Sequence, residues 1–249
     1  MTLPHAERVR EPSHHPPRER LLRFARGEAW RTERIVMEAH LFHCDACAGI
    51  VANERVPFDD GFRTGVVKAP GSAVGVARAA TAPAFDLVWR KVEARARVRW
   101  PREAAVLPPS VLAELEPAER WSWTPLWPSG TRFTVLAREP AAGTELYLVY
   151  YGKASAFPRH HHLQPEDNVI LAGGYKSGVV PADGSADDQV LTGDWVLGVP
   201  GTSHSPRTGP EEECWCLSQV FVGGSKLETF HGKFQAWLDA WEARRERLR

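Results

Sequence analysis

Apolar side chains in the first hundred residues recur at the spacing of an amphipathic helix. Leu21 and Phe24 lie in the first such pattern, and Gly27 ends it. The same spacing predicts further helices over residues 30–41, from Cys44 onward and over residues 84–97. Proline, glycine and small residues predict a loop over residues 55–83. The first hundred residues are therefore predicted to form a small helical bundle.

The pattern changes after Pro101 to short runs in which apolar and polar residues alternate. Such runs predict half-buried strands, and clusters of glycine, proline and aspartate between them predict turns. The predicted strands cover residues 132–137, 145–151, 168–171, 194–199 and 214–222. Many short strands separated by turns are typical of an antiparallel sandwich or barrel.

Helical spacing returns from about residue 226 to the end of the sequence. One face of this predicted helix carries Phe230, Phe234, Trp237, Leu238 and Trp241. Arginines follow near its end, where cations suit the helix dipole. The three patterns divide the chain into a helical domain over residues 1–99, a β-domain over 100–225 and an amphipathic helix over 226–249.

The chain has 31 basic and 31 acidic side chains, so its net charge is zero with histidine neutral. This balance provides no overall basic field for nucleic acid. The first 20 residues lack the apolar segment of a signal peptide, and no apolar run approaches the roughly 18 residues of a membrane span. We therefore expect a soluble protein of a reducing cytoplasm, where close cysteines bind metal or do redox work more often than they form disulfides.

The spacing His40-x3-Cys44-x2-Cys47 is typical of a zinc site. Two thiolates and an imidazole one helical turn upstream can converge on a tetrahedral ion, which usually takes four ligands. Two other interpretations stay open. The cysteines could be small core residues, or they could be a thioredoxin-like redox pair, which would need a preceding strand.

The fourth zinc ligand has to come from elsewhere in the chain. His14 and His15 lie before the first helix, whereas His43 is rotated away from Cys44 by about 100° per residue on a helix. Residues 19–28 and 38–47 resemble the first two helices of the zinc-binding anti-sigma domain, which carries a His-x3-Cys-x2-Cys signature. The resemblance implies that the extra ligand is a histidine before the first helix. By spacing that role falls best on His15, with His14 as the fallback.

A second group of metal ligands begins with three consecutive histidines. Alternate side chains of a strand point to one face, so His160 and His162 face together. Glu166 lies just beyond them, and His204 can arrive from a neighbouring strand. Three imidazoles and a carboxylate suit zinc, iron, manganese, copper or nickel. The alternative is an accidental histidine tract on the surface.

This second group resembles the two cupin motifs over roughly residues 105–225. The resemblance includes the step from Glu166 to Gly173 and the element from Gly193 to His204. Two positions depart from the pattern, since Ala154 replaces a glycine and Thr208 an asparagine. Neither is a ligand in that family's usual site, so the resemblance implies a metal held by His160, His162, Glu166 and His204.

Two further cysteines, Cys214 and Cys216, lie two apart on a predicted strand, so both thiols face one side. They are either small core residues or an oxidisable pair near the histidine group. The aromatic segment with Trp121, Trp123 and Trp127 also has two interpretations. It either packs on the barrel or lines a pocket for a small ligand.

Together, the two metal groups and the late Cys-x-Cys resemble the ChrR-type cupin anti-sigma factors. The resemblance implies an α+β fold of two domains: a helical bundle with a structural zinc, and a cupin β-barrel (a double-stranded β-helix) with a C-terminal helix. It implies a regulator rather than an enzyme. Residues 1–99 would bind an extracytoplasmic-function-type sigma factor. The cupin would sense singlet oxygen or organic peroxide, release the sigma factor, and hold Zn²⁺ or another divalent transition metal.

Two other functions remain open at this point. A metal-dependent cupin enzyme of dioxygenase type would use the same four ligands, because fold does not decide function. A cupin that binds a small ligand is the third. We expect neither direct nucleic-acid binding nor membrane insertion, and the oligomeric state, including a homodimer, is open.

Overall fold

The computed structural model describes residues 11–55, 100–126, 129–178 and 189–228. Helices come first in these ranges: α1 (Arg18–Ala25), α2 (Arg31–His43), α3 (Asp45–Arg55), a 3₁₀ helix (Arg102–Val106) and α4 (Pro109–Glu114). Three of the predicted helices are therefore confirmed, with slightly different ends. The predicted loop over 55–83, except for Arg55 at the end of α3, and the predicted helix over 84–97 lie outside the described residues.

The ends of the helices follow from local chemistry. Helix α1 ends where Gly27 adopts a φ of 76°, a conformation that glycine reaches without steric cost. There the Gly27 and Glu28 amides donate to carbonyls of the last helical turn. Helix α2 ends at Cys44, whose backbone is extended, and α3 begins at the next residue. The bend between α2 and α3 therefore falls within the His40–Cys47 motif.

The rest of the described chain is built of short antiparallel strands, as predicted. They are β1 (Thr124–Leu126), β2 (Thr131–Glu139), β3 (Thr144–Tyr151), β4 (His160–His162), β5 (Glu166–Lys176), β6 (Gln189–Leu191), β7 (Trp195–Gly198), β8 (Ser203–His204), β9 (Cys214–Phe221) and β10 (Ser225–Leu227). All five strands predicted from alternation are present. The larger sheet has the order β1-β2-β3-β9-β5-β6, with β7 also paired to β5. The smaller sheet has the order β10-β4-β8.

Helices α1 to α4 and one face of the larger sheet share an apolar core. Leu21, Ile35 and Met37 of the helices belong to the same buried cluster as Leu171 and Leu217 of the strands. Packing on this cluster explains why helices with few caps are stable here, since most helical stability in proteins comes from a packed apolar face.

Strand β9 shows how the sheet separates two cores. Trp215 and Leu217 belong to the cluster shared with the helices, whereas Cys214 and Cys216 belong to a second cluster with Tyr151. Side chains of a strand alternate between its faces. The second cluster therefore occupies the opposite face of the larger sheet, away from the helices.

Two observations bear on the predicted segment boundaries. Helix α4 lies beyond residue 100 and contacts α2 through the ion pair between Arg34 and Glu114, so helical structure continues up to the start of the sheet. The boundary between domains at 99/100 stays a prediction. Lys226 and Leu227 pair with His161 and His160 in a strand, so the predicted start of the last helix at 226 was wrong. Residues 229–249 lie outside the described ranges.

The fold class is the predicted one, with helices before an antiparallel β-sandwich. Among the helices that the structure describes, none has both the length and the apolar character that a bilayer-crossing segment needs.

Two candidate metal sites

The first candidate site, called the thiol site below, consists of His15, His40, Cys44 and Cys47. His40 lies in the last turns of α2, Cys44 at the bend, Cys47 in the first turn of α3, and His15 in the segment before α1. Each offers one ligand atom, and these atoms all lie within 4.8 Å of one another. The Nδ1 atom of His15 is 3.4 Å from Sγ of Cys44 and 3.5 Å from Sγ of Cys47.

Burial controls the charge state of this site. It lowers the pKa of His40 to about 4, so its imidazole is neutral at physiological pH. It raises the pKa of the Cys44 thiol and raises that of Cys47 to about 12. Two thiols with raised pKa values stay protonated when no cation lies beside them. A bound metal ion would change this, because its positive charge stabilises the thiolate and deprotonates the coordinating sulfur.

The His40 ring is oriented to present a lone pair to the site. Its Nδ1 lies 2.8 Å from the carbonyl oxygen of Gly193, which can only accept, so Nδ1 carries the proton and donates it. The opposite atom, Nε2, is buried and has no hydrogen-bond partner among the described residues. In histidines that bind metal, one ring nitrogen typically donates to an acceptor outside the site, and the other ring nitrogen faces the ion. Two imidazoles and two thiolates fit a tetrahedral zinc ion.

The two histidines that the sequence left open as fourth ligand differ in position. His15 lies against both thiols, whereas His14 Nδ1 lies 3.4 Å from Oδ2 of Asp194. His43 is buried but is not one of the four clustered groups. The structure thus brings His15 rather than His14 to the cysteines, and the ligand assignment itself stays a prediction.

Sequence reasoning missed one acidic group at this site. Cys44 Sγ lies 3.4 Å from Oε1 of Glu11, which precedes His15 by four residues. A carboxylate there adds negative charge beside the thiols. The spacing Glu11-x3-His15 was the only signal in the sequence, and by itself it is common.

The second candidate site, called the histidine site below, consists of His160, His162, Glu166 and His204. Strand β4 supplies the first two, β5 supplies Glu166 and β8 supplies His204. One ligand atom from each lies within 4.8 Å of all the others. His160 Nε2 is 3.0 Å from His204 Nε2, and Glu166 Oε2 is 3.9 and 3.8 Å from Nε2 of His160 and His162.

The alternation expected of strand β4 is present. His160 and His162 are buried, whereas His161 is half-buried and contacts Ser203 and Glu228. The register places His160 opposite His204 on β8. Pairing of two very short strands thus gathers three imidazoles on one side of the smaller sheet.

Burial favours the neutral form of two imidazoles at the histidine site. Burial lowers the pKa of His204 to about 2, with His160 and His162 adding to the effect, and burial also lowers the pKa of His162. His160 Nδ1 donates to the carbonyl of Pro158, at 2.9 Å. His162 Nε2 is buried and has no hydrogen-bond partner among the described residues. Three imidazoles beside a carboxylate fit a divalent transition metal.

Comparison with known proteins identifies the strand-rich part of the chain. A family model described as the ChrR cupin-like domain matches residues 115–221. We call this segment the ChrR cupin-like domain, after the model that it matches. The resemblance to the ChrR-type family that the sequence predicted is confirmed. A comparison with curated proteins finds no match.

One solved structure supports the same fold. The chain is similar to one in the crystal structure of Rhodobacter sphaeroides SigE in complex with the anti-sigma ChrR. The two are 19% identical with a TM-score of 0.55, over 84% of this chain and 98% of that chain. The polyketide cyclase RemF from Streptomyces resistomycificus is a weaker match, 19% identical with a TM-score of 0.35, over 40% of this chain and 72% of that one. At these identities the matches concern the fold alone.

The candidate redox pair lies inside the ChrR cupin-like domain. Cys214 and Cys216 are fully buried free thiols on the inner face of β9. Burial raises the pKa of Cys216 to about 12 and also raises that of Cys214. Cys216 Sγ lies 3.4 Å from Oδ1 of Asn168. Thiols in this setting pack as core residues and have little thiolate character; their redox role stays a prediction.

The tryptophan segment of the ChrR cupin-like domain packs on the shared core. Trp121 and Trp123 are half-buried against it. The Trp123 ring meets that of Trp215 edge-on, with centroids 5.9 Å apart, and the Arg132 guanidinium lies 4.6 Å from its centroid. Trp127 lies outside the described residues. These contacts favour the packing interpretation over a ligand pocket.

Proposed function

We propose that this chain is an anti-sigma factor that binds an extracytoplasmic-function-type sigma factor and withholds it from RNA polymerase. The observation that carries the proposal is the union, in one chain, of the thiol site on a helical bundle with a ChrR cupin-like domain. The solved structure with the same overall fold is described as an anti-sigma in complex with SigE. An anti-sigma factor of this kind acts in the cytoplasm, where sigma factors meet the polymerase.

The helical domain, predicted over residues 1–99, is the proposed sigma-binding part. Helices α1 to α3 are short, and metal binding at their junction is expected to be coupled to their folding, as in other small metal domains. Zn²⁺ is the metal we propose for the thiol site, because two thiolates and two imidazoles suit it best. A partner that binds the folded helices then also binds the metal-loaded state preferentially.

The ChrR cupin-like domain is the proposed sensor of oxidative stress, either singlet oxygen or organic peroxide. Release of the sigma factor requires that the signal favour one conformation over another. The histidine site adjoins the second buried cluster, where Phe157 contacts His160, and this cluster lies across the larger sheet from the helices. A movement of side chains at the histidine site could therefore be transmitted to the helices through the packed side chains of the larger sheet. We propose Zn²⁺ or another divalent transition metal there.

Binding to the sigma factor encoded beside this chain tests the proposal. We expect a 1:1 complex with the metal-loaded full chain, and inhibition of transcription by polymerase that carries this sigma factor. Cys44→Ser/Cys47→Ser should abolish the complex, because it removes both thiolates. Glu166→Gln is the matched control, since it alters the other metal site and should leave binding intact. A metal-loaded, folded chain that binds no sigma factor would contradict the proposal.

The geometry of the histidine site favours a second candidate, a metal-dependent cupin enzyme of dioxygenase type. Three imidazoles and Glu166 would hold a divalent iron, which would supply the oxygen chemistry of such an enzyme. Glu166 Oε1 accepts a hydrogen bond from Asn168 at 3.0 Å, which orients the carboxylate. Turnover of a diketone or flavonol by the iron-loaded chain would support this function. Zinc binding without turnover would count against it.

A further inference from the structure

A single turn of the cupin contacts both histidine-bearing segments of the thiol site. This turn, Gly193–Asp194, joins β6 to β7. The Gly193 carbonyl accepts the hydrogen bond from His40 Nδ1, at 2.8 Å. On the other side, Asp194 Oδ1 accepts from the backbone N–H groups of Ser13 and His14, at 2.7 and 3.2 Å. His15, the next residue, reaches the two thiols.

Burial and hydrogen bonds to both carboxylate oxygens hold Asp194 in this position. Its side chain is fully buried, and Oδ2 accepts from the Leu191 amide at 2.8 Å, which closes the turn. The following amide, that of Trp195, donates to the His14 carbonyl at 2.9 Å. The segment before α1 is therefore hydrogen-bonded to the cupin through both the N–H and the C=O group of His14. A buried carboxylate that accepts several backbone N–H groups forms strong, charge-assisted hydrogen bonds.

The packing around Gly193 leaves the turn little freedom. Gly193 has a φ of 90°, which favours glycine. A Cβ atom there would lie 2.8 Å from Cβ of His43 and 2.8 Å from Cγ of Pro12. The turn thus fits closely between the end of α2 and the segment before α1. Any shift of the turn must therefore move either α2 or that segment.

We propose that Gly193 and Asp194 are positioning residues of the thiol site, which orient His40 and His15 for the metal. The inference rests on metal binding at the thiol site, which is part of the proposed function. Outer groups that hold the proton-bearing nitrogen or the backbone of a ligand fix its orientation and raise metal affinity. The cupin then strengthens metal binding at the thiol site without supplying a ligand. Metal retention by the helices and the conformation of the cupin turn are linked, and linkage of this kind is reciprocal.

Metal affinity of the full chain tests this assignment. Zn²⁺ affinity is measured by competition with a chromophoric chelator. Co²⁺ reports the thiol site selectively, because only that site gives thiolate-to-metal absorption. We expect Asp194→Ala to lower the affinity of the thiol site about 10- to 100-fold, the usual effect of losing an outer-shell partner. Asp194→Asn keeps an oxygen acceptor for the backbone amides and should recover part of the loss.

Asp167→Ala is the matched control. Asp167 is another buried carboxylate of the cupin that contacts the N-terminal helices, through Arg20, but among the described residues it forms no hydrogen bond with His15 or His40. It should change the Co²⁺–thiolate absorption little. An Asp194→Ala affinity within twofold of the unmodified chain, or no lower than that of Asp167→Ala, would overturn the inference.

Two further measurements separate the possible failures. If Asp194→Ala loses its folded circular dichroism, Asp194→Asn and Gly193→Ala take its place, and both must lower thiol-site affinity for the inference to stand. Sigma-factor binding is measured on the same preparations. Intact sigma binding with no effect of the Asp194 variants on metal overturns only the positioning role. A metal-loaded chain that shows the effect but binds no sigma factor overturns only the proposed function.

Discussion

Arg20 of helix α1 forms a partly buried ion pair with Asp167 of strand β5. Asp167 follows Glu166 of the histidine site, and neighbouring side chains of a strand point to opposite faces. Consecutive residues of β5 thus contact the helices on one side and the candidate metal position on the other. Burial raises the pKa of the Asp167 carboxyl, while Arg20 acts in the opposite direction. The pair is a direct polar connection between the two parts of the chain.

Replacing Arg20 by methionine should destabilise the chain by about 3 kcal/mol, because removal of one partner leaves a buried charge without compensation. Side chains of Arg20 and Asp167 are 21% and 4% exposed, so solvent screens the pair only in part. Urea unfolding measures the change. The double variant Arg20→Met/Asp167→Leu should recover most of the lost stability.

Arg26→Met is the control for this experiment. Arg26 pairs with Glu54 across α1 and α3, but their side chains are 53% and 30% exposed. Ion pairs that solvent reaches so freely contribute little to stability. Equal losses for Arg20→Met and Arg26→Met would show that the Asp167 pair contributes no more than a surface contact.

A second contact between helix and sheet involves two hydroxyl groups. Thr32 Oγ1 of α2 and Thr144 Oγ1 of β3 are 2.8 Å apart, and both residues are buried. Thr32→Val should cost about 1–3 kcal/mol, because it leaves the Thr144 hydroxyl buried without its partner. Thr32→Val/Thr144→Val should be closer to neutral, since both polar groups are then gone. A double-mutant cycle by urea unfolding measures this coupling; additive losses would contradict it.

Gly198 lies directly against the histidine site. A Cβ atom there would be 2.6 Å from Cε1 and 2.7 Å from Nε2 of His162. Gly198→Ala should therefore displace the imidazole and lower metal occupancy of the histidine site, while the thiol site keeps its metal. Total metal and Co²⁺–thiolate absorption distinguish the two sites. Gly49→Ala is the control, because the space beside Gly49 is open. Unchanged occupancy in Gly198→Ala would contradict the expectation.

The site residues that could be predicted from the sequence are those that lie close together along the chain. His40, Cys44 and Cys47 are one turn apart along α2 and α3, and His160 and His162 alternate on one strand. Helical and strand periods fix such neighbours without reference to the rest of the fold. His15 and His204 are remote in sequence, and resemblance to known families supplied them.

The contacts between the two parts of the chain were not predictable from the sequence. His40 and Gly193 are separated by 153 positions, and Arg20 and Asp167 by 147. Periodicity shows which face of an element is apolar, but it does not show which element covers that face. The error at Lys226 has a similar origin, because pairing with β4 overrides the local helical pattern.

The choice between His14 and His15 is testable with single substitutions. His15→Gln should lower Zn²⁺ affinity of the thiol site more than about 100-fold, because loss of an outer partner alone costs 10- to 100-fold. His14→Gln should stay within about fivefold, below the usual effect of losing an outer partner, since the His14 ring lies beside Asp194 rather than beside the thiols. The backbone N–H of His14, which donates to Asp194, is present in both variants. Chelator competition measures the affinities, with Co²⁺–thiolate absorption to confirm the site. A larger loss in His14→Gln than in His15→Gln would mean that the segment shifts by one residue when metal binds, and that His14 is the ligand.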